Sequence, residues 1–201
     1  MFPQKLQEVV SFLNEIGISI SENNEDGRVN SIDDEKTIIN VLEEKYGKED
    51  IIRPQPRDWW DVKVFGFPIQ LKSSDFKKKA SDNFSSKAAI LYALTYLPED
   101  KVKVLRWEDF EKALLNFSDV DNGRDYYIIV IDKGTKKVYL NSLKSLSKLT
   151  ANGNNLPFQI KWVDNLIPIQ RTHRQAYEFI VECYKKSVAA KINAHPIYQQ
   201  L

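Results

Sequence analysis

The chain has 201 residues, 42% of them hydrophobic and 28% charged, with a formal net charge of +1. That length suits a globular domain with a sizeable core, and the composition argues against a disordered or membrane-spanning chain. So small a net charge argues against a protein that coats nucleic acid nonspecifically, so any DNA binding must rest on local clusters and a shaped cleft.

Leu6, Val9, Val10, Leu13 and Ile16 recur at helical spacing and predict an amphipathic helix over 4–16 that Gly17 ends. This segment is polar throughout and lacks the apolar core of a secretory signal. After the polar SENNEDGRVNS, Ser31 with Asp34 reads as a capping box, and Ile38, Ile39, Leu42 and Tyr46 form one face of a second helix ended by Gly47. IIRPQPR (51–57) is a short extended segment broken by two prolines, and a hairpin over 58–74 follows. A polar, lysine-bearing stretch to about Ser85 leads into a helix through SSKAAILYALTYL, stopped by Pro98. KVKVLRW (101–107) predicts a strand and WEDFEKALLNF a short helix. YYIIVIDKGTKKVYLNSL predicts the clearest hairpin; its YYIIVI run is strand-length, far short of a membrane span. NLPFQIKWV predicts a final strand, and QRTHRQAYEFIVECYKKSVAAK a long helix with Tyr177, Ile180, Val181, Tyr184 and Val188 along one stripe. Cys183, the single cysteine, reads as a small core residue and forms no internal disulfide, in keeping with a reducing compartment. The order predicts an α/β fold, a central mixed β-sheet flanked by helices, as a single domain over 1–201 in the cytoplasm and without membrane contact. There is no internal repeat, Gly-rich phosphate loop or paired Cys/His pattern.

The hairpin DWWDVKVFGFPIQLKSS places polar residues at its working positions. Residues two apart share a strand face, so Gln70 and Lys72 point one way while Ile69 and Leu71 point to the core. Val62 and Val64 supply the matching apolar positions across the turn, which leaves Asp61 at the strand's start, near Lys72 if the strands pair. A carboxylate beside an amide oxygen suits a hard cation such as Mg²⁺. A lysine there orients or deprotonates a water, or stabilises charge building on a phosphate, and the set suggests metal-assisted phosphodiester hydrolysis. The competing reading of Asp61 with Lys72 is a cross-strand salt bridge on a solvated hairpin. Asp58 is a rival to Asp61.

Asp61, eight residues and then QLK resembles the PD-(D/E)XK nuclease motif in a variant, D-x8-QxK, with Gln70 at the second acidic position. The spacing of Val62 and Val64 after Asp61 matches that motif better than their spacing from Asp58. GRVNSIDDEKTIINVL, WWDVKVFGFPIQLKSS and DNFSSKAAILYALT, over roughly residues 27–97, are similar to type II restriction endonucleases of that superfamily. NGNNLPFQIKW resembles a segment of some restriction enzymes more weakly. The resemblance implies a restriction-endonuclease-like fold and Mg²⁺-dependent, sequence-specific hydrolysis of double-stranded DNA in a prokaryotic cell, with a companion DNA methyltransferase. Cutting both strands of a palindrome implies a homodimer. It implies that Asp61 ligates the cation, that Gln70 makes a direct or water-mediated contact, that the Leu71 carbonyl can ligate, and that Lys72 positions the attacking water. Glu35 matches the glutamate such enzymes place beside the metal from the preceding helix. It stands on the apolar face of its own helix, where an inward carboxylate asks for a partner, although an acid in a first helical turn is also favoured by the helix dipole. Two departures are Trp60 in place of proline, and Gln70, which removes one negative charge and weakens cation binding.

For DNA contacts, Ser73, Ser74, Lys77, Lys78, Lys79 and Asn83 follow the lysine of the motif, and Arg28 and Asn30 precede the Glu35 helix. Asn152, Asn154 and Asn155 sit in a turn-like TANGNN and offer amides suited to adenine. Arg171 and Arg174 begin the last helix, where positive charge opposes the dipole and a phosphate or carboxylate would explain it; His173 there reads as a core histidine. Three alternatives remain: a repair or junction-resolving nuclease of the same fold, a DNA-binding or interaction module that lost catalysis, and a structural domain with a plain Asp61–Lys72 salt bridge.

Overall fold

The computed structural model describes residues 2–18, 27–78, 81–84, 86–103, 106–152 and 158–194, with the backbone alone for 27–32 and 78. In chain order the elements are helices α1 Gln4–Ile16 and α2 Gly27–Tyr46, then strands β1 Ile51–Ile52, β2 Val62–Val64, β3 Phe67–Ser74 and β4 Asp82–Phe84. Helices α3 Lys87–Leu94 and α4 Trp107–Leu115 follow, then β5 Tyr127–Asp132, β6 Val138–Ser142, β7 Thr150–Ala151, β8 Phe158–Ile160 and helix α5 His173–Asn193. Within the predicted span of 1–201 the contacts gather into two compact units, 1–78 with 126–142, and 79–125 with 143–201. Among the described residues no helix is long and apolar enough to cross a membrane.

The first unit is a mixed five-stranded sheet in the order β1-β2-β3-β5-β6, with β3 and β5 parallel and the other neighbours antiparallel. This is the α/β architecture, a central mixed sheet with flanking helices, that the sequence predicts. Leu6, Val9 and Leu13 of α1 and Ile38, Ile39 and Leu42 of α2 pack against Val62, Val64, Ile69, Leu71, Ile129 and Ile131 of the sheet. The face that carries Ile69 and Leu71 is thereby buried, and alternation turns Gln70 and Lys72 to the other face. All six residues of β5, the apolar run Tyr127–Ile131 and the Asp132 that ends it, are buried. Asn14 of α1 clamps edge strand β6 by two bonds, donating to the Val138 carbonyl (3.0 Å) and accepting from its N–H (2.9 Å).

The β2–β3 hairpin turns through Phe65 (φ 52°) and Gly66 (φ 80°), the positive-φ pair of a two-residue type I′ loop. Glycine adopts this conformation freely; Phe65 is held in it by the Tyr46 ring at 5.3 Å and by its N–H bond to the Asp50 carbonyl (2.8 Å). The loop sets Val64 opposite Phe67, Lys63 opposite Pro68 and Val62 opposite Ile69. Pro68 is tolerated because the β5 ladder starts only at Ile69. Asp61 N–H also donates to the Ile69 carbonyl (2.9 Å), so Asp61 and Val62 together face one residue, the two-against-one pattern of a β-bulge, which re-aims the Asp61 side chain.

At the far end of β5 the buried Asp132 accepts from Thr135 Oγ1 (2.6 Å), Gly134 N–H (3.1 Å) and Phe76 N–H (3.3 Å). Burial pushes its carboxyl up, but these hydrogen bonds outweigh it and hold the group below its usual value. It fastens the β5–β6 turn and the segment after β3.

The second unit has a three-stranded antiparallel sheet, β4-β8-β7, with α3, α4 and α5. The predicted final strand belongs to this sheet. Ser86 caps α3 by accepting from Ala89 N–H (3.1 Å). Three predicted features are corrected. Helix α2 starts at Gly27, so Ser31 lies inside it rather than capping it; no proline or glycine interrupts 28–46. No strand forms over the described part of 101–107: Pro98, Glu99 and Asp100 start a 3₁₀ turn through Lys101, and α4 begins at Trp107; Val104 and Leu105 lie outside the described residues. On α5 the buried positions are His173, Ala176, Ile180, Cys183 and Ser187; of the predicted stripe Ile180 is buried, Tyr177, Val181 and Tyr184 are half-buried and Val188 is exposed. Ala176, Cys183 and Ser187 face inward with His173 and Ile180, while Tyr177 stacks on Phe117 (3.9 Å) and Tyr184 meets Trp107 (6.1 Å) and Phe110 (5.5 Å). Burial raises the Cys183 thiol to about 11, so it is inert at neutral pH, in agreement with a core cysteine.

Candidate active site

The bulge at Asp61 and the pleat of β3 bring the chemistry-bearing residues together. Asp61 is half-buried, and its Oδ2 accepts the Leu71 N–H at 2.8 Å. Burial pushes its carboxyl up from the ordinary value, against the downward pull of the Leu71 N–H and the Lys72 charge. Lys72 is also half-buried, yet it forms no hydrogen bond or ion pair with any described residue. The predicted cross-strand salt bridge is therefore not closed: the ammonium is near enough for its charge to be felt at Asp61 and remains available. On the same face, Gln70 Oε1 is buried without a hydrogen-bond partner. Such an oxygen forfeits about 1–3 kcal/mol that a cation or a water can restore.

Glu35 of α2 and Asp61 line one cleft of about 430 Å³. Ile39 and Trp60 form its apolar wall, and Lys36, Arg53, Pro54, Gln55, Arg57 and Asp58 complete it. Asp58 is engaged in the loop, where its Oδ2 accepts the Gln55 N–H (2.8 Å) and its own N–H reaches the Gln55 carbonyl (3.0 Å). That closes a turn over 55–58 and gives Asp58 a structural role distinct from that of Asp61.

Tyr126 is a site residue that the sequence reading missed. It is fully buried, and burial, then the negative charges of Asp61 and Glu35, push its phenol well above the usual value. Its hydroxyl donates to the Trp59 carbonyl (3.2 Å) and its ring meets the Trp59 ring at 5.5 Å. In YYIIVI it reads only as a strand residue, and nothing local marks the contact with a segment 67 positions away. Tyr126→Phe is expected to cost about 1 kcal/mol in urea unfolding by deleting that bond; unchanged stability would show that the hydroxyl does not hold the Trp59–Asp61 segment.

The donors available to a cation are the Asp61 carboxylate, Gln70 Oε1, the Leu71 carbonyl and Glu35. Among the described residues no group of three or more His, Cys, Asp or Glu side chains could hold a metal ion. An all-oxygen set with few charges, one member an orphaned buried amide oxygen, fits a hard cation that keeps most of its waters, and fits it weakly.

The predicted DNA-contact residues are dispersed. Ser73 shares the face of Ile69 and Leu71, directed away from Lys72, and Ser74 is buried. Lys77 is exposed beyond β3. The side chains of Arg28, Asn30 and Lys78, and residues Lys79, Asn154 and Asn155, lie outside what the structure describes. Asn83, Asn152, Arg171 and Arg174 belong to the second unit. Asn83 is exposed, whereas Asn152 is buried and its N–H donates to Ser187 Oγ (3.1 Å). Arg171 donates to the Leu146 carbonyl (2.6 Å) and lies over the Phe179 ring (4.1 Å). Arg174 pairs with Asp119 and Glu178. Carboxylates and carbonyls thus answer the positive charge at the start of α5. His173 is a buried histidine stacked on Phe117 (5.0 Å), 3.6 Å from Asp121.

A solved structure described as a restriction endonuclease in complex with substrate DNA is similar to this chain at 17% identity, over 64% of this chain and 52% of that chain, with a TM-score of 0.28. This chain spans about half the length of that one. No family model and no curated protein sequence matches it.

Proposed function

We propose that this chain is a Mg²⁺-dependent endonuclease of the type II restriction class that hydrolyses both strands of double-stranded DNA, with a restriction-endonuclease-like fold and a prokaryotic, cytoplasmic setting. The observation that carries the reading is the pairing of an uncommitted Lys72 with an Asp61 carboxylate that burial leaves short of solvation. A structural salt bridge would have closed this gap; a catalytic pair keeps it open for a ligand. Asp61, Gln70, the Leu71 carbonyl and Glu35 would hold the cation. When bound, Mg²⁺ supplies charge stabilisation at the phosphate and a more acidic water. Lys72 orients the attacking water and donates toward the charge that builds on the phosphate. Leu71 N–H and the bulge fix Asp61 in place, and Tyr126 steadies its segment from behind. Cleavage of a two-fold site implies a homodimer, and self-protection implies a companion methyltransferase.

Gln70 favours a second reading, a module that binds DNA without cutting it, because a neutral residue at that position lowers the charge of the cation site. Incubation with unmethylated phage DNA, with Mg²⁺ and with EDTA, separates the two. Discrete fragments that require Mg²⁺ are expected. DNA binding without cutting under any divalent ion would favour the inactive module, and neither binding nor cutting would remove both.

A further inference from the structure

The cleft that ends at Asp61 has two arginines in its wall. Arg53 is fully engaged, with Glu43 at 2.7 Å and Asn40 at 2.6 Å. Arg57 is exposed and forms no hydrogen bond or ion pair with any described residue. Its backbone is unusual too: φ is +74°, in the left-handed region that a long side chain rarely adopts. The turn over 55–58 explains how this is imposed, since Pro56 followed by a positive φ is the type II pattern, in which glycine is the favoured third residue. Two prolines, at 54 and 56, and the two bonds between Gln55 and Asp58 stiffen the loop around Arg57. An arginine held where glycine fits better, its guanidinium without a partner among the described residues, is strain retained in a cleft that Asp61 and Glu35 also line.

We infer that Arg57 is a phosphate clamp of this site: its guanidinium takes the non-bridging oxygens of a backbone phosphate on the strand being cut, bidentately, and so sets the position of that strand over Asp61. The inference rests on the nuclease reading. Arg57 stands four positions before Asp61, at most ~14 Å of chain, which keeps the clamped phosphate within a few nucleotides of the scissile one. The contact is to the backbone, so it affects affinity and register rather than base preference. Arg57 is thus a positioning residue.

The test is Arg57→Gly, which suits the observed φ and removes the cation without disturbing the turn. A fluorescein-labelled DNA duplex is titrated in EDTA by anisotropy over a salt series, with thermal melts beside it. The variant is expected to melt no lower than the wild type, to bind several-fold more weakly at low salt, and to show a log K against log salt slope shallower by about 0.9. A wild type that binds duplex DNA, with an Arg57→Gly slope and affinity unchanged, would overturn the clamp and leave the nuclease reading standing. A wild type that neither binds duplex DNA in EDTA nor cuts it with Mg²⁺ would overturn the nuclease reading, and the clamp with it.

Discussion

On the proposed endonuclease reading, Lys72→Ala will cut Mg²⁺-dependent DNA cleavage sharply while leaving the protein folded. Removal of a positioned acid–base group costs roughly 10²–10⁴ in rate, so single-turnover cleavage should fall by at least about a hundredfold. Lys72 forms no ion pair or hydrogen bond with a described residue, so the same change should shift unfolding free energy by no more than about 0.5 kcal/mol. The two readouts together separate catalysis from structure. Cleavage unaffected by the substitution would remove Lys72 from the mechanism. A melting temperature that collapsed in parallel with activity would show it to be a structural lysine after all.

Asp61→Asn will abolish cleavage and stabilise the metal-free protein at neutral pH. The sign follows from burial, which raises the folded-state pKa of Asp61 above its ordinary 3.8. The folded state then holds the proton more tightly than the unfolded chain. The stabilising contribution of that proton is complete below 3.8 and is lost as pH rises through the folded value. At pH 7.5 the wild type carries a carboxylate that is poorly solvated; asparagine does not, and its amide oxygen can still accept the Leu71 N–H. In EDTA the variant should melt higher by a few degrees, about 1 kcal/mol, with the difference shrinking as pH falls toward 4. If Asp61 holds the ion as proposed, added Mg²⁺ should raise the wild-type melting temperature and leave the variant unmoved. A variant that melts lower than the wild type at pH 7.5 would show that Asp61 serves the fold rather than a ligand.

Elements whose cause is local are legible in the chain alone: α1, the paired strands around Gly66 and around DKGTKK, and the mixed α/β class. Periodicity and turn chemistry act over a few residues and can be read from them. The sequence also singled out Asp61, Gln70 and Lys72 by their spacing, since the pleat of one strand is enough to put two of them on one face. Tertiary structure decided what depends on a distant partner. The inward stripe of α5 carries Ala176, Cys183 and Ser187 beside His173 and Ile180, because its tyrosines pack sideways on Trp107, Phe110 and Phe117. Arg171 and Arg174, candidates for phosphate by their position, are held by carbonyls and carboxylates brought from elsewhere in their own unit. Arg57 shows the converse: in IIRPQPR it is one charge in an extended segment, and only the folded chain reveals a guanidinium with no partner among the described residues, on a strained turn in the cleft that Asp61 lines. Whether a charge is neutralised or left open depends on which groups three-dimensional packing brings within reach, and this information lies in no single stretch of the chain.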